Sequence, residues 1–320
     1  MMTLTWKRCA KLRMNPVLCV GCTVIDFVTI NDNFPEEDTD RRCLDGFWQR
    51  GGNASNVSTV LRLLGSDVDF FGMLSHAGAF RVLLDDLHRR GIDVQHCPHT
   101  EMDPPFSSVI IVKATGSRTI VHCNKNYPYV TWQDFSKIDL KRYGWIHFEA
   151  RKASETIKMM RAVQEHNRMN EERIIISLDF ESLFEANLPL CGLCDYVVFS
   201  KELANQQGWQ TAQETCTELA HRVKPNCPSI ICPWGNTGAV CLDATTQNLH
   251  NGPAYEPKQI VDTLGAGDSF MAGFIYATYA LRQSLPDAVD LANRVAGHKI
   301  SQFGYDHIAQ LQKDNKPGNI

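Results

Sequence analysis

The chain has no basic excess: 32 Lys and Arg stand against 36 Asp and Glu, a formal charge of -4. That excludes the charge footprint of a nucleic-acid binder or of a protein held on anionic lipid. No apolar run approaches the roughly 20 residues that a membrane-spanning helix needs, so no membrane partner is expected. No apolar segment with a small-residue cleavage site follows the N-terminus, which argues against a secretory signal. Familiar catalytic signatures are missing too. There is no Gly-x-x-x-x-Gly-Lys-[Ser/Thr] loop, no Gly-x-Ser-x-Gly elbow, no protein-kinase set and no His-Glu-x-x-His pair. Hydrophobic residues make up 43% and charged residues 21%, an ordinary globular balance that excludes disorder and a coiled coil. Function is therefore to be sought in a pocket.

Cysteine is not scarce, with twelve in 320 residues, but the spacing suits neither a disulfide scaffold nor a zinc site. Cys19 and Cys22 lie in an apolar run that reads as a strand, where residues three apart point to opposite faces and cannot chelate one ion. Cys191 and Cys194 repeat the spacing alone. Free, buried thiols in a reducing compartment are expected, and with them a cytoplasmic location. No metal-ligating residue is assigned. The basic stretch Met1-Met-Thr-Leu-Thr-Trp-Lys-Arg-Cys-Ala-Lys-Leu-Arg-Met-Asn15 has no acid and no serine, and reads as a frayed leader.

Short apolar runs alternate with amphipathic segments. Strands are expected at 17–25, 68–73, 145–148, 174–178, 196–199, 230–232 and 239–242. Helices are expected at 54–64, 80–90, 154–166 (with Ser154 as cap), 214–223, 266–281 and 286–302. This alternation predicts an α/β fold with a mostly parallel sheet and right-handed crossovers, as one domain over 1–320. Two stretches interrupt it. Residues 31–50 hold strand-like pieces, and 93–124 hold two strands, 107–113 and 118–123, with a turn at Gly116. Together they predict a small β-layer, either a lid over a site or a satellite sheet covering an edge.

Four local patterns carry chemistry. In Asp262-Thr-Leu-Gly-Ala-Gly-Asp268, Gly265 and Gly267 leave backbone N–H groups open at the start of an apolar helix, which makes an anion site. Asp268 there either complements the helix dipole or serves as a general base beside a phosphate. In Arg50-Gly-Gly-Asn-Ala-Ser-Asn56, two amides three residues apart share a helix face and suit a polyhydroxylated ligand; capping is the alternative. Asp26 is expected at the carboxyl end of the first strand, where open α/β sheets bind ligands. Gly235-Asn-Thr-Gly238 is a turn between strands, weak taken alone.

Taken in order, Asp26, the Gly-Gly-Asn-x-x-Asn segment, the Gly-x-x-Gly turn and Asp-Thr-x-Gly-Ala-Gly-Asp resemble the ribokinase family of carbohydrate kinases. Trp48-Gln-Arg50, Asp85-Asp-Leu-His-Arg-Arg-Gly91, Gly116-Ser-Arg-Thr-Ile120 and Trp145-Ile-His-Phe-Glu149 extend the likeness toward its fructose-phosphorylating branch, over about residues 17–308. The resemblance implies a ribokinase-like fold with a β-sheet lid. It implies ATP-dependent phosphorylation of a sugar hydroxyl, with the C1 hydroxyl of D-fructose the leading case. Asp268 would be the base, and Gly265, Ala266 and Gly267 the anion hole. Asp26, Gly52, Asn53 and Asn56 would contact the sugar. Arg118 would reach the phosphates, and Gly235, Gly238, Asn293 and Gly297 would hold the nucleotide. Mg²⁺ would arrive on the ATP phosphates, and a K⁺ requirement is implied.

The chain departs from the family at Ser200-Lys-Glu-Leu203, where many members have Asn-x-x-Glu, and at Asn236-Thr237, where the fructose-phosphorylating branch has two acids. Rival readings are a ribokinase, an adenosine kinase, a sugar-acid kinase served by Arg41 and Arg42, or a catalytically silent sugar sensor. A homodimer joined through the lid is also expected, with Phe106, Val109, Ile111 and Ile120 as its apolar face. The resemblance adds that Asp38 would then reach the partner's sugar site.

Overall fold

The apolar run at 17–25 does not form one strand. It makes Val17–Val20, breaks over 21–23, and resumes as Val24–Asn31 in a different sheet. At the break the Cys22 amide donates to the Glu149 carboxylate at 2.7 Å instead of to a neighbouring strand. Asp26 therefore sits inside a lid strand and not at the carboxyl end of the first one. The computed structural model describes residues 14–223 and 227–314, so the basic leader at 1–13 lies outside the described residues.

The larger sheet has eight strands in the order Leu249–Gly252, Ala239–Leu242, Ser229–Pro233, Tyr196–Phe199, Ile175–Phe180, Trp145–Glu149, Val17–Val20 and Val68–Phe71. Neighbours are parallel from Ser229–Pro233 through Val68–Phe71, and the two remaining pairs are antiparallel. Alternation sorts the side chains to two faces. Val17 and Cys19 join one core with the helices Asn53–Leu64, Ala266–Ile275 and Leu285–Lys299. Leu18 and Val20 join the other, beneath Ala153–Met169, Phe184–Cys191 and Ala212–Arg222. A sheet covered on both faces is why its strands read as near-continuous apolar runs. Cys19 is one such buried thiol.

Several boundaries differ from those expected. The helix expected at 154–166 starts at Ala153 without a side-chain cap. The one expected at 266–281 is α-helical only to Ile275 and then widens into a π turn over Tyr276–Ala280. Phe184–Cys191 carries Pro189 inside it, and its apolar residues show no clear periodicity, so it was not expected.

The second sheet has four strands, Asp45–Gly51, Val24–Asn31, Phe106–Val112 and Ser117–Cys123. Its last two strands form the expected hairpin, with Gly116 at φ 65° in the turn. The pairing register decides which side chains face the body. Asp26 pairs with Ser107 and Gln49, Val28 with Val109, and Ile111 with Arg118. Val28, Val109 and Ile111 close on Leu264 of the Gly-rich turn as a small third core. This corrects the expected dimer face: Val109 and Ile111 are buried within the chain. The outward face instead carries Phe27, Trp48, Phe106 and Val121, and Trp48 is 65% exposed. Phe27 packs edge-on against both Trp48 and Phe106.

Candidate active site

A cavity of about 1230 Å³ lies between the lid and the carboxyl ends of the parallel strands. Strand ends in such sheets deliver backbone and side-chain groups to one crevice. Asp26, Gly52, Asn53, Asn56, Arg118, Gly235, Gly238, Gly265, Ala266, Gly267, Asp268, Asn293 and Gly297 all line it. Of the expected site residues only Asp38 does not. It stands exposed in the segment between the first two lid strands, with φ 57°.

The Gly-rich turn leads into the helix Ala266–Ile275, and Gly265 caps it in the left-handed region at φ 73°. A side chain at Gly265 would also collide with the Tyr305 hydroxyl, so glycine is required twice over. The Gly267 and Asp268 amides have no partner within that helix, which leaves them open to an anion, while the Ala266 amide makes a long hydrogen bond to the Thr263 carbonyl at 3.3 Å. Asp268 is buried in the same turn and accepts from the Asn56 amide at 2.7 Å. Burial pushes its carboxyl up to about 7, and the charge of Glu181 adds to this. The Asn56 hydrogen bond and the Arg118 charge pull the other way. A carboxylate poised near neutrality can take and release a proton at working pH.

On the same helix face as Asn56, the Asn53 amide donates to Asp179 at 3.0 Å and to Glu181 at 2.6 Å. Asn56 Oδ1, though buried, has no hydrogen-bond partner among the described residues, so the site offers an unfilled acceptor. From the lid, Asp26 contributes a carboxyl that burial raises to about 6 against hydrogen bonds from Ser107 and Gln49. The lid closes near the turn: Arg118 donates to Thr263 Oγ1 at 3.4 Å, and that hydroxyl donates to the Gly116 carbonyl at 3.1 Å.

At the far end, Gly235 and Gly238 close a tight turn in which the Trp234 amide donates to the Gly238 carbonyl at 2.7 Å. Asn293 spends its amide on the Gly252 carbonyl at 3.1 Å, which fixes the wall there. Tyr255, Pro257, Ile260 and Ala296 make this end apolar and fit for a flat heterocycle. Lys201 lies over the Trp234 ring, 5.2 Å from its centroid.

The expected set leaves out a group of charged residues on the cavity wall. Glu149, Asp179 and Glu181 stand at or just beyond the ends of Trp145–Glu149 and Ile175–Phe180, with Arg151 against Glu149 at 2.5 Å and Glu181 at 3.7 Å. Burial, and then the charge of Glu181, holds the Asp179 carboxyl well above the usual carboxylate range. A signal existed: acidic residues at the carboxyl ends of apolar strands in a parallel sheet. Among the described residues no group of three or more His, Cys, Asp or Glu is arranged to hold a metal ion.

Residues 14–310 match the pfkB family of carbohydrate kinases. The chain belongs to that family. This is the ribokinase family to which the motifs pointed. Mouse ketohexokinase is 40% identical over 295 residues, covering 91% of this chain and 98% of its own. The fructosamine kinase FrlD of Bacillus subtilis is 24% identical, covering 92% and 95%. Among solved structures, ribokinase from Giardia lamblia superposes with a TM-score of 0.79 at 14% identity, covering 94% and 100%. Arabidopsis thaliana ribokinase complexed with ribose and ATP gives 0.75 at 18%, covering 94% and 99%. The fold is thus the ribokinase-like α/β fold, and the pfkB family motifs fall around its cavity.

Proposed function

We propose that this chain transfers the γ-phosphoryl group of ATP to the C1 hydroxyl of D-fructose, giving fructose 1-phosphate and ADP. One observation carries the reading. Asp268, at the head of an anion-binding helix, is hydrogen-bonded to Asn56, and Asn53 and Asp26 face the same cavity. The 40% identity with a ketohexokinase over nearly the whole chain chooses the sugar.

In this reading Asn53, Asn56, Gly52 and Asp26 hold the sugar hydroxyls, and the free Oδ1 of Asn56 accepts from one of them. Asp268 takes the proton of the attacking hydroxyl as its oxygen bonds to the γ-phosphorus and the bond to ADP breaks. The amides of Gly265, Ala266 and Gly267 meet the charge on the transferred group, and Arg118 meets it from the lid. Gly235, Gly238, Asn293 and Gly297 form the nucleotide end. Mg²⁺ fits the acidic wall: Glu181 and Glu202 line the cavity and would hold its water shell. When bound, Mg²⁺ neutralises phosphate charge. The cytosol suits this reaction and the free thiols of the described cysteines.

A second copy of the chain is the proposed partner. The outward lid face of Phe27, Trp48, Phe106 and Val121 is apolar, and a two-fold pairing would cover it. Asp38 lies outside its own chain's cavity wall, so its sugar contact would be with the other subunit.

The test is ADP release across fructose, ribose, adenosine and sugar acids. The expected result is a kcat/KM for fructose above that of every other acceptor. A preference for another sugar would move the assignment within the family. No turnover with any acceptor would overturn the kinase reading.

A further inference from the structure

Behind the Gly-rich turn lies a lysine that the proposed reaction does not use. The Lys299 side chain is fully buried. Its ammonium donates to the Asp262 carboxylate at 2.5 Å and to the Asp262 backbone carbonyl at 3.0 Å. The Tyr305 ring lies 5.3 Å from the same nitrogen, and the Tyr305 hydroxyl abuts Gly265. Asp262 in turn accepts from the Leu264 amide at 2.9 Å and the Gly304 amide at 3.3 Å. One buried cation thus grips the residue that opens the turn over 262–267, and the Tyr305 ring beside it backs Gly265.

Stability is a weak reason for this arrangement. Burial works against the charged form of Lys299, and Asp262 is the main group that opposes it; Asp268 adds to the pull and Arg118 detracts. A buried ion pair is often no more stable than apolar side chains of the same volume. The charge is retained at a place where a turn must be held still and where negative charge would gather.

We propose that Lys299 is a positioning residue for phosphoryl transfer: its ammonium is a built-in monovalent cation that sets the turn so that its amides face the transferred group. The proposal rests on the phosphoryl-transfer reading above. A tethered ammonium has the charge of a bound K⁺ or NH₄⁺ and cannot dissociate, so it would stand in for the K⁺ that the family resemblance implies. Removing the side chain should leave a hole that such an ion can fill.

The test is Lys299→Ala, assayed at constant ionic strength in NH₄⁺, K⁺ or tetramethylammonium chloride, with Tm followed in parallel. In tetramethylammonium the kcat is expected to fall about 100-fold, the scale of a ~1 Å misplacement of the reacting groups, with the fructose KM nearly unchanged. NH₄⁺ or K⁺ should restore kcat saturably and raise Tm, by far more than either ion changes the wild type. If Lys299→Ala does not fold, the double variant Lys299→Met/Asp262→Asn removes both charges and keeps the volume. Its expected result is a folded protein with lowered kcat that no salt restores. Wild-type kcat in either variant, or a loss in Lys299→Ala that no ion reverses, would overturn the proposal. A wild type that phosphorylates nothing would overturn the kinase reading instead, and the Tm response of Lys299→Ala would still report whether the cation site exists.

Discussion

The amide of Asn56 reaches the carboxylate of Asp268 at 2.7 Å, across 212 residues of sequence. It joins the Gly-Gly-Asn-x-x-Asn and Gly-Ala-Gly-Asp segments into one site and tunes the group that would act as base. Glu181 pushes the Asp268 carboxyl up, while Asn56 holds it down.

Asp268→Asn should leave a folded protein that still binds ATP, with kcat lower by about 10²–10⁴, the usual contribution of a general base. Single-turnover kinetics with fructose check it. Retained turnover would remove Asp268 from the role.

The pH profile should show the same carboxyl. A base must be ionised, so kcat/KM is expected to fall as pH drops through about 7, the value to which burial raises Asp268. Glu181→Gln removes a repelling charge and should move that limb to lower pH. Asn56→Ala removes a hydrogen bond to the ionised form and should move it to higher pH. Shifts in the same direction would refute the electrostatic account.

Stability should run opposite to activity. Asp268 holds its proton more tightly folded than unfolded, so its contribution to stability is present at low pH and is lost as pH rises through about 7. Asp268→Asn should therefore have a higher Tm than wild type at pH 8 and a similar one near pH 4. Melting curves at the two values decide it.

Asn53→Ala should raise the sugar KM by about 5- to 150-fold, corresponding to roughly 1–3 kcal/mol for a lost buried partner, with the ATP KM nearly unchanged. The change also leaves Asp179 and Glu181 facing each other without their shared donor. A rise in the ATP KM instead would mean that the two halves of the site are assigned the wrong way round.

Val121→Glu puts a charge on the outward lid face and should yield a monomer by sedimentation. Asp38→Ala should weaken sugar binding without dissociating the dimer. Mixing Asp38→Ala with Asp268→Asn should restore one working site in two. A fully active wild-type monomer would remove both the interface and the shared site.

What the sequence determined by itself was local. Alternating and helical periodicities reflect burial over a few residues, so most strands and helices fall within a few residues of their expected places. The Gly-Gly-Asn-x-x-Asn and Gly-Ala-Gly-Asp segments were legible because backbone conformation and helix termini are set within one turn. Tertiary structure decided the rest. Nothing local tells 17–25 to change sheets: Val17–Val20 and Val24–Asn31 pair with different distant strands, and the break between them is braced by a hydrogen bond from Cys22 to Glu149, 127 residues away. Apolar character alone could not say which lid residues face inward. The register across four strands buries Val109 and Ile111 and turns Trp48 and Val121 out. Glu149, Asp179 and Glu181 follow apolar runs in the sequence, but only the parallel order of the strands brings them to one wall. Lys299 reads as a helix-end cation, and only the packing of its helix behind the Gly-rich turn buries its charge on Asp262.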